Sequence, residues 1–95
     1  MATKVGLLHL EVRIADAMNL KDKRRVVKSF KDRLSRRWNI SVAEVDHVDS
    51  IRQAVLAVAM VGSDGRHLKG SLDKIVDAAS ANRAWTLMDY SVEII

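Results

Sequence analysis

The hydrophobic pattern predicts an α+β domain, a βαββαβ two-layer sandwich with two helices on one face of a four-stranded antiparallel sheet. Three observations carry that expectation. Segments at 4–14, 40–45, 51–61 and from Trp85 onward alternate or run apolar with the period of strands, whereas Leu20 to Trp38 and the stretch after Asp64 repeat every three to four residues. Each helical stretch falls between strands, so right-handed crossovers put both helices on the same side of one sheet. Ninety-five residues, 48% hydrophobic and 29% charged, can close one core and not two, which makes residues 1–95 a single domain.

The elements follow in order. In the first strand Leu8, Leu10, Val12 and Ile14 share one side, and Val5, Leu7, His9, Glu11 and Arg13 share the other. Asn19 is placed to cap the first helix, with Asp22 three residues on as in a capping box. Val26, Val27, Phe30, Leu34 and Trp38 then fall on one helical stripe, and Asn39 is expected to close the helix in a left-handed turn. The second strand is followed by the polar connector Asp46-His47-Val48-Asp49-Ser50. The third strand is so evenly apolar that a central position covered on both sides is expected. Gly62 to Gly65 is a turn with a cap, and Leu68, Leu72, Ile75, Val76 and Ala79 make the stripe of a second helix closed by Asn82. The last strand sets Thr86, Met88, Tyr90, Val92 and Ile94 against Leu87, Asp89, Ser91 and Glu93. This arrangement is the split βαβ, or ferredoxin-like, sandwich.

Charge is unevenly spread. Nine of the sixteen Lys and Arg residues lie between Lys21 and Arg37 against only Asp22 and Asp32, a net of +7, which leaves −3 for the rest of the chain. Cations in the first turns of a helix face the positive end of its dipole, each at a cost of about 0.3–1 kcal/mol at low salt. Stability alone would favour carboxylates there. Unpaired backbone N–H groups and basic side chains together suit phosphate. The candidate nucleic-acid-binding residues are therefore Lys21, Lys23, Arg24, Arg25, Lys28, Lys31 and Arg36. The helix's apolar stripe belongs to the core, which argues against a membrane surface. No groove-reading pattern for duplex DNA is present. The first and third strands have no aromatic residue to serve as a base platform, so RNA is expected to meet the helix through its backbone and shape.

No pattern of catalytic residues appears, and the expectation is a non-enzymatic protein without cofactor or metal. The chain has no cysteine, which excludes a disulfide framework and a thiolate site. Acyl-phosphate hydrolysis on this architecture needs a glycine-flanked, arginine-bearing loop after the first strand, and the junction here is Ile14-Ala15-Asp16-Ala17-Met18. Asp46, His47 and Asp49 read as a turn whose aspartates bond the local backbone, and three ligands so close in sequence converge poorly on one ion. His9 and His67 read as surface residues. The longest apolar run, Ala54 to Val61, is too short to span a bilayer, and the first residues lead into a strand without a secretory leader, so a cytoplasmic protein is expected. An apolar patch on the second face of the sheet, formed by Val5, Leu7, Leu87 and Trp85 with one side of the third strand, suits a homodimer interface.

Two segments resemble a known family. Leu20-Lys21-Asp22-Lys23-Arg24-Arg25 with the basic helix after it, and Ser41-Val42-Ala43-Glu44-Val45-Asp46-His47, are similar to the signatures of the YlxP-like family of small bacterial proteins without an established activity. The resemblance covers essentially the whole chain, to the ending Leu87 to Ile95, and departs from it where Val48 replaces the usual glutamine and Asn19 the usual serine. It implies a ferredoxin-like fold in the cytoplasm. The family's genes often lie beside those of translation initiation and ribosome-maturation factors, which implies a link to RNA or a ribosomal particle.

Overall fold

The computed structural model describes residues 2–95. Its elements are β1 (Lys4–Arg13), α1 (Leu20–Arg37), β2 (Ser41–Asp46), β3 (Gln53–Gly62), α2 (Gly65–Ala81) and β4 (Thr86–Ile94). The strands form one antiparallel sheet in the order β2-β3-β1-β4, with both helices on one face, the ferredoxin-like arrangement. The alternation of β1 does what its period requires. Leu8, Leu10, Val12 and Ile14 are buried under the helices, together with Ala54, Leu56, Val58 and Met60 of β3. All five residues of the expected α2 stripe are buried, and Asp64 and Asn82 cap that helix. Gly6 lets α2 lie close to the sheet, since a Cβ there would come within 2.8 Å of Leu72 Cδ1.

Three expectations are corrected. Asn39 makes no left-handed turn: the chain leaves α1 through Trp38 in extended conformation, with the Trp38 N–H donating to the Leu34 carbonyl at 2.9 Å. The only described non-glycine residue with positive φ is His47, at 54°. β3 is central but covered on one face alone, and Val61 on the other face is 68% exposed.

The third correction concerns β4. Glu11 pairs with Asp89 and Val12 with Leu87, which leaves Met88 as an extra residue in a bulge. That shift turns Leu87 to the core side and leaves Asp89, Ser91 and Glu93 on the open side, opposite Glu11, His9 and Leu7. Trp85 is likewise buried under the helices. Its Nε1–H donates to the Ala79 carbonyl at 2.8 Å, and its ring meets Phe30 at 4.5 Å between centroids.

One polar residue joins the two layers. Lys23, on α1, is 0% exposed. Its ammonium donates to Glu44 Oε2 at 2.8 Å and to the carbonyls of His47 (2.9 Å), Val48 (3.1 Å) and Gln53 (3.1 Å). An ammonium has three donors, so four oxygens saturate it. The hairpin between β2 and β3 is shaped around this group. A bulge leaves Val45 unpaired between Glu44 and Asp46, and the left-handed residue His47 lies next in the chain. The positive charge that burial would penalise is met on every side.

Removing one partner of such a pair strands the other, typically at about 3–5 kcal/mol. Lys23→Met should therefore lower the unfolding free energy by about that amount in urea denaturation. Glu44→Gln should cost less, because three carbonyls still hold the ammonium.

Candidate nucleic-acid interface

α1 is 18 residues long, about 27 Å at ~1.5 Å per residue, and its core side is Lys23, Val27, Phe30 and Leu34. The steps of four, three and four fix which cations face outward. Lys21, Arg24, Arg25, Lys28 and Arg36 are exposed and Lys31 is half-buried. Among the described residues, no carboxylate lies within 4.0 Å of the charged groups of Lys21, Arg24, Arg25, Lys31 or Arg36. The structure therefore brings six of the seven candidate residues onto the solvent side of one helix.

Lys23 is the exception and corrects the expectation that it contacts phosphate. It lies one turn before Val27 on the apolar stripe, and its ammonium is spent inside the protein. The start of α1 is also occupied. Asn19 Oδ1 accepts from the Asp22 N–H at 2.8 Å, and Asp22 Oδ2 accepts from the Met18 N–H at 3.0 Å. The capping side chain and the Asp22 carboxylate answer the helix's positive end, so the basic surface is the flank of α1 and not its tip.

Asp32 is the acid set into that flank. Its Oδ2 accepts from Lys28 Nζ at 2.7 Å, one turn away. That hydrogen bond is the main cause holding its carboxyl below its ordinary value; desolvation opposes it, and the charges of Lys28, Arg36 and Lys31 each help by less. Both side chains are well exposed, so the pair adds little to stability.

Arg33, Arg37 and Trp38 belong to the same surface and were not singled out from the sequence. The Arg37 guanidinium lies 4.3 Å from the Trp38 ring centroid and Arg33 lies 5.6 Å from that of Phe30. The run Arg36-Arg37-Trp38, cations abutting an aromatic at a helix end, was the available signal. Trp38 was assigned to the core stripe, and it packs only partly against it.

The connector Asp46 to Ser50 serves the lysine site. Asp46 Oδ1 accepts from the His47 N–H at 2.7 Å, and the His47 carbonyl accepts from both Lys23 and the Ser50 N–H. Val48 contributes its carbonyl, which explains why an apolar side chain is compatible with that position. Among the described residues no three His, Asp or Glu side chains are grouped so that they could hold a metal ion. His9 sits half-buried on the open sheet face and His67 is exposed on α2. No described helix is long and apolar enough to cross a membrane.

A small ferredoxin-like domain with a basic helix flank and a lysine locked under its hairpin is thus the class defined by fold and surface. The chain belongs to the family described as Protein of unknown function (DUF503), whose model matches residues 5–92. It is similar to the Uncharacterized protein YlxP of Bacillus subtilis (strain 168), 28% identical over 72 residues, which cover 76% of this chain and 78% of that one. Among solved structures it resembles the de novo designed protein Foldit4, with a TM-score of 0.54, 12% identity and 96% of each chain covered. It also resembles SnoaB, a cofactor-independent oxygenase from Streptomyces nogalater, with a TM-score of 0.54, 14% identity and 99% and 92% of the two chains covered. At such identities these two likenesses define the fold alone.

Lys28→Gln should raise the titration midpoint of Asp32 back toward its ordinary range, read from the carboxyl carbon shift by NMR. Because that carboxyl is depressed in the folded protein, the stability it adds is present above its unfolded midpoint and is lost as pH falls through its folded one. The variant should therefore flatten only the acid end of the stability curve.

Proposed function

We propose that this protein is a non-enzymatic accessory factor of the bacterial cytoplasm that binds RNA, as part of a ribosomal particle, through the outer flank of α1. The observation that carries the reading is the one-sided charge. Lys21, Arg24, Arg25, Lys28 and Arg36 stand exposed along one helix, whereas the open sheet face carries Glu11, Asp89 and Glu93 against Arg13. A concentrated cationic strip attracts a polyanion and releases its counterions, which scattered charge does less effectively.

Arg24 and Lys28 are exposed and Lys31 is half-buried, so reversing them tests binding, with the thermal midpoint as the check on folding. The triple variant Arg24→Glu, Lys28→Glu, Lys31→Glu should abolish retention of RNA while leaving the thermal midpoint within a few degrees of wild type. If about five phosphates are contacted, wild-type affinity for single strands should fall with salt at a log–log slope near −3.5, at ~0.7 per contact. Unchanged affinity in the triple variant would sink the reading.

A second reading rests on the open sheet face. Ile95 lies opposite Val5 through two reciprocal backbone hydrogen bonds, and Val5 pairs with Val61. Ile95 and Val61 are 65% and 68% exposed, beside half-buried Leu7. This apolar end of the sheet suits a second copy of the chain. Sedimentation at several concentrations should then show a dimer that Val61→Glu converts to a monomer. A monomer at every concentration would remove this reading.

A further inference from the structure

We infer that the cleft at the C-terminal end of α1 holds one unpaired base of single-stranded RNA, an inference that rests on the RNA reading above and adds a stacking site to it. The cleft has a volume of about 280 Å³ and is floored by Leu34, Trp38 and, from α2, Ala78. Arg33, Arg36 and Arg37 stand around it. That volume lies just under the ~300 Å³ at which sites for drug-sized ligands begin, and it suits one planar ring system. An apolar floor with an all-cationic rim fits a ligand that is flat and apolar at its centre and anionic at its margin. A nucleotide has that chemistry. The half-buried Trp38 indole already carries the Arg37 guanidinium on its ring at 4.3 Å, and a base can stack on either kind of surface.

The surroundings place the phosphates. Arg33 and Arg36 also line the surface of Arg25, Lys28, Ser29 and Asp32, so the cleft is continuous with the cationic flank, in which the one carboxylate is paired with Lys28. On the other side Arg33 reaches a groove that it shares with Arg25, Ser29 and Asn82. Asn82 Oδ1 accepts from the Ala84 N–H at 3.2 Å, which leaves its Nδ2 buried and without an acceptor among the described residues. Arg25 and Arg33 both donate into this groove, and a phosphate oxygen is the acceptor that suits them. Arg33 lies between the two, with its guanidinium over Phe30 at 5.6 Å. The base enters the Trp38 cleft, and its backbone runs along Arg33 toward Arg25.

A stacked base must be unpaired, so the cleft favours single strands over duplexes whereas the α1 flank alone does not. The test compares a short oligouridylate with an RNA duplex of the same length, on wild-type protein and on Trp38→Leu, which keeps an apolar side chain in the floor. Trp38→Leu should lose about tenfold or more in affinity for the single strand, the loss expected for one stacking platform, and keep its duplex affinity and salt slope. In wild type the single strand should quench indole emission and the duplex should not, since Trp85 is buried beneath the helices. Arg37→Ala, at an exposed position, should reduce single-strand affinity in the same direction and covers the case in which the tryptophan variant misfolds. Equal single-strand affinity in all three proteins, or equal losses on both RNAs, would overturn the stacking site and leave the backbone reading standing. If wild type binds neither RNA with a salt dependence, the RNA reading falls and this site with it.

Discussion

The ion pair and carbonyl contacts of Lys23 constrain the rest of the molecule. One side chain ties α1 to β2, to the hairpin turn and to β3, and so locks the helix to a hairpin whose strands are already paired. The hairpin is irregular in ways that a plain β-turn would avoid, with a bulge at Val45 and a left-handed histidine. Both irregularities lie where oxygen atoms are presented to one ammonium. Apolar residues of similar volume commonly stabilise as well as a buried pair does. What the pair adds is direction, because four oxygens accept a lysine in one pose only. With Lys23 fixed, the rotation of α1 about its axis is fixed, and so is the set of cations that face water.

Much of the fold was legible because period and burial agree. All five residues of the α2 stripe, and the four inward residues of β1, are in the core. The failures have two separate causes. Bulges insert a residue without a compositional mark, so the phase of β4 changed at Met88 and carried Leu87 to the other face. The chain turned at Trp38 by extended backbone that any residue adopts, so Asn39 offered a cap that was not used.

The candidate surface was legible as a charge run but not residue by residue. Net charge counts Lys23 with its neighbours, and only the helical phase separates it. Positions 23, 27, 30 and 34 form one stripe, and a lysine there is either buried or out of register. The stripe also drew Trp38 into the core, when its place one residue beyond the last turn leaves part of the ring at the surface beside Arg37. Which donors lack partners cannot be read from sequence, and the Asn82 amide is visible only once α1 is packed beside the α2–β4 connection.

The β4 bulge has a further consequence for how molecules crowd together. By carrying Leu87 away to the core side, it leaves Asp89 and Glu93 beside Glu11 on a back whose prevailing sign is that of nucleic acid itself. A molecule seated by its helix would offer the next strand a repelling surface. If the α1 flank binds RNA as proposed, coating would stop at one layer, and the domain would not glue two chains of RNA together.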